Sequence, residues 1–197
     1  MEIPWPKKGA LLITDDGRAL NACLNWSWDD LFLYATGYRT AAERLFDYIS
    51  ANHRDQDTLV YPLVFLWRHH VELMLKSLIR NSYRLLGQPS KFPGVHGVLK
   101  LWQEFRPLLE RIEPNGDQED LEAVEGLIVQ LAAIDKNSFV FRYPTTLDDQ
   151  PSLPQDLTHI NMENLHTCMV GLATFFEAVD TMIDHYQDCK TEMERNL

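Results

Sequence analysis

The sequence contains no long apolar run of the kind that crosses a membrane. Its longest apolar-rich stretch without a formally charged residue runs from 164 to 176, well short of the roughly 20 residues that a spanning helix needs. The start of the chain also lacks a signal-peptide pattern, because two lysines precede only a short apolar run, 10 to 13, which two aspartates then end. We therefore expect no membrane span and no secretory leader.

The chain is also poor in the residues that build disulfide frameworks, metal sites and phosphate loops. Its three cysteines, Cys23, Cys168 and Cys189, lie far apart and show no CxxC or Cys/His spacing. No two histidines lie four apart with a carboxylate between them, and neither GxGxxG nor GxxxxGKS occurs. The sequence therefore predicts reduced thiols, a cytoplasmic location, no metal site and no cofactor.

Positive charge is scarce as well. The 18 lysines and arginines are outnumbered by 29 aspartates and glutamates, which gives a formal net charge of −11. An acidic surface repels a polyphosphate and weakens the sequence-independent attraction on which most nucleic-acid binding depends. Any contact with a nucleic acid would therefore be local, and the surplus itself is typical of a soluble cytoplasmic protein.

What the sequence does contain is helical periodicity. Apolar residues recur at steps of three and four over five segments, which we predict as helices: from 27 to 52, from 57 to 87, from 95 to 112, up to 134, and from 161 onwards. The second segment is apolar on nearly every side, so it is predicted to be the central helix. Its broad apolar face consists of Val64, Trp67, Val71, Met74, Leu75 and Leu78.

Helices joined mostly by short connections predict an all-α fold. We expect an antiparallel up-and-down bundle of four to five helices over residues 27–190, preceded by a short extended arm or hairpin, 1–26, and followed by a tail, 191–197. The segment DKNSFVFRYP, residues 135–144, is predicted to be extended because of its aromatic and β-branched residues and its final proline.

The central helix carries a stripe of charged residues. Arg68, Glu72, Lys76 and Arg80 follow one another at steps of four, with His69 beside them. In a core such groups need partners. They can neutralise one another as i,i+4 pairs. Alternatively, burial keeps His69 neutral as a base while Arg68 or Lys76 holds a phosphate and Glu72 orients a ring or a ribose.

Two further positions are candidates for a site. Arg142 is the only cation of the FVFRYP segment and is followed by Tyr143. The segment is either a rigid lid, with Asp135 or Glu72 as the salt partner of Arg142, or a phosphate clamp, and arginine suits a fixed bidentate contact in both cases. His96 opens the third helix, where it is either a cap or a second acid or base.

The segment VELMLKSLI, followed by a proline- and glycine-containing loop and then HGVLKLW, resembles the HEPN superfamily of bacterial and archaeal helical bundles. The resemblance implies a four-helix core, frequent homodimers and roles in toxin–antitoxin systems or phage defence, often as a metal-independent endoribonuclease. The family's catalytic signature, an arginine followed four to six residues later by a histidine, is absent at every arginine of this chain. The residues that carry the resemblance are Glu72, Lys76, Leu78, His96, Leu99 and Trp102.

Two functions follow from these patterns. The first is a HEPN-like defence or toxin–antitoxin protein that acts on RNA or binds a nucleotide, as a homodimer or with a partner protein. The second is a non-catalytic helical interaction module, a partner or inhibitor subunit. In the first case we expect His69, Arg68 and Glu72 to be catalytic, and the residues expected to contact substrate or phosphate are Arg142, Lys76, Tyr143 and His96.

Overall fold

The computed structural model describes residues 5–13, 19–24, 30–89 and 93–196. Of these described residues 66% are helical, and they hold no β-strand beyond an isolated bridge between Thr145 and Pro151. The prediction of an all-α helical bundle is therefore confirmed. The five helices are α1 Leu31–Asn52, α2 Gln56–Leu85, α3 Val98–Ile112, α4 Gln118–Ile134 and α5 Met162–Arg195.

The chain divides into two compact units, residues 1–30 and 31–197. The described part of the first unit has no regular secondary structure. The predicted start of the first helix after Ser27 falls outside the described residues. The large side chains of this unit that are exposed are Trp5, Leu11, Leu12, Ile13, Leu20 and Leu24.

Helix α2 is the centre of the second unit, as predicted. It packs against α1, α3 and α5, and all six side chains of the predicted apolar face are buried. A helix of 30 residues is about 45 Å long, so it is long enough to contact several helices. The polar side chains that α2 also buries are Arg68, His70, Glu72, Lys76, Ser77 and Ser82.

The ends of α2 are set by local chemistry. The helix predicted from residue 57 starts at Gln56, three residues after the left-handed His53 and directly after Asp55, which has a φ of 60°. The Thr58 hydroxyl donates to the Asp55 carbonyl at 2.9 Å. At the other end Gly87 stops the helix, as predicted, with a φ of 66° that suits glycine.

Residues 135–143 form turns, so the prediction of an extended segment is wrong. The Asp135 carboxylate accepts hydrogen bonds from the amides of Phe139, at 2.8 Å, and Val140, at 3.3 Å. The amides of Arg142 and Tyr143 both donate to the Phe139 carbonyl. An aspartate that bonds nearby amides offers the backbone an alternative to a strand, and here it outweighs the β-propensity of the aromatic residues.

Helix α5 begins where the sequence indicated and ends later. The Asn161 side chain caps it by accepting from the amide of Asn164 at 3.0 Å. Residues 191–195, predicted as part of a tail, continue the helix. Near its end, Lys190 donates to the Leu85 carbonyl at 3.0 Å. No helix in the described ranges is long and apolar enough to cross a membrane.

Candidate functional site

Glu72 is the centre of a buried charge cluster on α2. Its Oε2 accepts from Arg68 Nη1 at 2.8 Å, and its Oε1 accepts from Lys76 Nζ at 2.9 Å. The same Oε1 lies 2.8 Å from His96 Nδ1. One carboxylate that is only 2% exposed therefore binds three basic side chains, which we call the Glu72 cluster.

Two opposing effects act on the pKa of Glu72. Burial is the largest and raises the pKa, but the hydrogen bonds from Lys76, Arg68 and His96 together outweigh it and hold the pKa below its ordinary value. Glu72 is therefore ionised at neutral pH. A charged carboxylate accepts stronger hydrogen bonds than a neutral one, so the cluster holds its members firmly in place.

Arg68 is enclosed completely, and each of its guanidinium nitrogens has a partner. Nη2 donates to the His96 carbonyl at 2.6 Å, and Nε lies 3.4 Å from the Asp135 carbonyl and 3.5 Å from its carboxylate. Since the side chain is 0% exposed, it cannot touch a substrate directly in this structure. Its position instead ties α2 to the segment before α3 and to the end of α4.

Lys76 is enclosed in the same way, with its side chain 4% exposed against Glu72. The two cations that the sequence offered for phosphate binding on α2 are thus both occupied inside the protein. Sequence analysis left two interpretations of the charged stripe, mutual ion pairing and phosphate binding. In the structure Arg68, Glu72 and Lys76 pair with one another.

His96 is the member of the Glu72 cluster that faces solvent. Its Nδ1 lies against the buried carboxylate, while its side chain is 70% exposed. With Nδ1 as the donor, the contact to Glu72 fixes the orientation of the ring and leaves Nε2 to accept or deliver a proton. An exposed imidazole held by an ionised carboxylate is an arrangement that general acid–base catalysis uses.

A second group of side chains forms a row of rings with one cation in it, which we call the ring row. The Arg142 guanidinium carbon lies 5.7 Å from the ring centre of Phe65 and 5.6 Å from that of Tyr143. Phe65 is nearly parallel to the imidazole of His69, with ring centres 5.7 Å apart. The row also includes Tyr38, edge-on to His69, and Phe139, stacked on Tyr143.

Arg142 is exposed and, among the described residues, forms no ion pair. The predicted pairing with Asp135 or Glu72 is wrong, because Arg68 takes both carboxylates. The turn at residues 139–143 instead places Arg142 against Phe65 of α2. The Arg142 guanidinium is therefore available to an anion in solution.

His69 belongs to the ring row and lies one helical turn before Glu72. Burial is the largest influence on its pKa and lowers it; Glu72 acts in the opposite direction, whereas the charges of Arg68, Lys76 and Arg142 lower it further. The imidazole is thus neutral at pH 7, which is the state that a proton acceptor requires. This direction agrees with the prediction that burial keeps His69 neutral.

The candidate site therefore lacks Arg68, which the sequence predicted as part of it and which is completely enclosed. It consists of the ring row and of His96. Phe65 and Tyr38 were not predicted as site residues, although Phe65 lies four residues before His69 and so shares its helix face. Within the described residues no group of three or more His, Cys, Asp or Glu side chains can hold a metal ion.

Comparison of the chain with protein-family models, curated proteins and solved structures gives no match.

Proposed function

We propose that this chain is a HEPN-like protein that acts on RNA, and that it cleaves RNA without a metal ion on the surface formed by the ring row and His96. The observation that carries the proposal is the contact of the exposed His96 imidazole with the buried, ionised Glu72 at 2.8 Å. Glu72 binds three basic groups, and His96 is the only one of them whose side chain is largely exposed.

The proposed reaction uses two histidines in different protonation states. Neutral His69 accepts the proton of a ribose 2′-hydroxyl, and the freed oxygen attacks the adjacent phosphorus. The bond from phosphorus to the 5′-oxygen breaks, and protonated His96 donates its proton to that leaving oxygen. The products are a 2′,3′-cyclic phosphate and a 5′-hydroxyl, so each histidine finishes in the state in which the other began.

In the proposed function the ring row binds the RNA. Arg142 carries the positive charge for a phosphate, and the rings of Phe65 and Tyr143 provide faces on which bases can stack. Such a site is local, as the net charge of −11 requires. Arg68 and Lys76 take no part in binding; they position His96 through Glu72.

A cleavage assay tests this assignment. Single-stranded RNA is incubated with the protein in the presence of EDTA, and the product ends are analysed for cyclic phosphate. We expect cleavage by the parent protein and a loss of about 100-fold or more in His96→Ala, the usual range for removing a general acid or base. His185→Ala, which removes an exposed histidine on α5, is the matched control.

Cleavage by His96→Ala at the parental rate would overturn the role given to His96. A requirement for a divalent ion would overturn the metal-independent reaction.

The second candidate is the non-catalytic module, and one observation favours it. Arg68, Lys76 and Glu72 already satisfy one another inside the protein, so their presence on α2 does not require a substrate. If the parent protein binds RNA through Arg142 but leaves it intact, the chain is a binding module. If it neither binds nor cleaves RNA, its role lies in protein contact.

The biological setting is part of the same proposal. A role in defence or in a toxin–antitoxin pair and assembly as a homodimer or with a partner protein are what the resemblance to HEPN proteins implies. The cytoplasmic location rests on the three cysteines that lie far apart in the sequence. Light scattering on the purified chain measures its mass in solution, and a monomer at micromolar concentration would remove the homodimer from the proposal.

A further inference from the structure

A cavity of about 550 Å³ lies in the second unit, where four parts of the chain meet. The end of α1 and the start of α2 form one side, and the loop that follows α4 and the start of α5 form the other. Small-molecule sites have volumes of about 300–1,000 Å³, so this cavity is large enough for a ligand. None of the proposed RNA-contacting residues lines it.

Apart from two histidines, His53 and His159, the ionisable side chains of the described residues that line the cavity are all acidic. Asp57 and Glu163 line it, and no lysine or arginine is found among the described lining residues. Each carboxylate lies in the first turn of its helix, α2 or α5, where the helix dipole supplies only about half a positive charge. The end of α1 adds partial negative charge, so the cavity remains net negative and disfavours an anion.

Three aromatic side chains also line the cavity. Phe46, Tyr61 and Phe141 contribute rings from α1, α2 and the loop. Of these, Phe141 is buried and Tyr61 is 42% exposed. Aromatic faces attract cations, and several rings around a cavity are a recurrent way to bind an organic ammonium group.

We propose that this cavity binds an organic cation, an ammonium or guanidinium group that carries an apolar body. The apolar body would lie on Ile49 and Val60, and the charge would lie between the rings and the two carboxylates. This site is separate from the proposed RNA surface and does not depend on it. The ligand is either a free small molecule or a lysine or arginine side chain of another protein.

Calorimetric titration of the full chain with three probes of similar size tests the class of ligand. The probes are benzyltrimethylammonium, benzyl alcohol and 3-phenylpropionate. We expect binding of the ammonium compound, weaker binding of the neutral one and none of the anion. Equal binding of all three, or no binding of the ammonium compound up to about 1 mM, would overturn the proposal.

Substitutions then test the position of the charge. We expect Asp57→Asn combined with Glu163→Gln to weaken ammonium binding about tenfold, and Tyr61→Leu, which keeps an apolar side chain, to weaken it about threefold. Glu119→Gln is the matched control, because Glu119 is also an exposed first-turn acid, on α4 and outside the cavity lining. Circular dichroism checks that each variant is folded.

A final pair of titrations separates the two sources. One uses benzyltrimethylammonium and the other a short peptide with one lysine between apolar residues. Tighter binding of the peptide assigns the site to a protein partner, and tighter binding of the small cation assigns it to a metabolite. Unchanged ammonium affinity in the double variant contradicts both, whatever the RNA assays show.

Discussion

Two arginines lie where the 135–143 segment contacts α2: Arg68 of α2 contacts Asp135 at the start of the segment, and Arg142 near its end contacts Phe65 of α2. Their environments differ completely. Arg68 is wholly buried and bound to Glu72, Asp135 and a carbonyl. Arg142 is exposed and lies over the rings of Phe65 and Tyr143. A buried guanidinium must be saturated by its own protein, so only the exposed one is free to bind something else.

Within this one region, the two arginines differ in how much they contribute to stability. Removing one partner of a buried ion pair costs about 3–5 kcal/mol, whereas an exposed cation over a ring contributes about 0.5–1 kcal/mol. Sequence position does not distinguish these cases, because both arginines lie among apolar neighbours. Their burial and their partners do.

The largest effect is expected for Arg68→Met. The substitution leaves Glu72 and Asp135 without their shared cation, so the free energy of unfolding should fall by about 3–5 kcal/mol. Urea denaturation followed by circular dichroism measures this loss. Arg142→Met is the control and should change the same quantity by no more than about 1 kcal/mol. A similar decrease of the unfolding free energy in both variants would show that the two arginines contribute equally to stability, contrary to this prediction.

A somewhat smaller effect, with a pH dependence, is expected for Glu72→Gln. The variant removes the negative charge that Arg68 and Lys76 share, which should cost on the order of 3 kcal/mol at pH 7. Because the pKa of Glu72 is lower in the folded state than its ordinary value of 4.5, its contribution is present above pH 4.5 and is lost as the pH falls through the folded pKa.

The parent protein should therefore lose stability below pH 4.5 more steeply than Glu72→Gln does. The exposed Glu119→Gln variant should follow the parent curve. Parallel curves for the parent and Glu72→Gln would show that Glu72 is not held ionised by its partners.

The smallest effect on stability is expected for substitution of His70. Unlike the paired side chains of the Glu72 cluster, His70 is a buried histidine with one unpartnered nitrogen among the described residues. It is 1% exposed, its Nδ1 lies 2.9 Å from the Ala35 carbonyl and its Nε2 has no partner in the described structure. Burial lowers its pKa from 6.5, so the unfolded chain takes up the proton more readily, and stability falls as the pH drops below 6.5.

His70→Asn retains an amide near the Nδ1 position and cannot be protonated. We expect its unfolding free energy to decline less between pH 6.5 and pH 5 than that of the parent, measured by urea titration at each pH. His69 and His166, whose pKa values burial also lowers, keep part of the decline in both proteins. An unchanged slope would contradict the neutral state of His70.

Much of the fold followed from local sequence. The three- and four-residue spacing of apolar positions predicted five helices, and Gly87 and Asn161 marked an end and a start that the structure retains. The turn at 135–143 did not follow, because its cause is the Asp135 carboxylate bonding two amides, and β-propensity alone does not account for such a contact. The sequence contains both Asp135 and the aromatic residues with high β-propensity, and the hydrogen bonds of Asp135 determine the structure.

The candidate site was less predictable than the fold. The charged residues of α2 were identified from the sequence. Whether Arg68 or Arg142 forms ion pairs with Glu72 and Asp135 depends on where the turn after α4 lies against α2, and the sequence does not show that position. His96 was recognised as a candidate acid or base, and its contact with Glu72 arises only when two segments meet. The cavity has no local signal at all, since four segments contribute to its lining.

The most direct test of the account compares ligand binding with stability in one variant, Arg142→Met. Fluorescence anisotropy with a labelled single-stranded RNA measures the dissociation constant, and urea denaturation measures stability on the same preparation. We expect binding to weaken about tenfold while the urea midpoint stays close to that of the parent. Undiminished RNA affinity in Arg142→Met, or a parent protein that binds no RNA, would contradict the assignment of Arg142 to a ligand-binding surface.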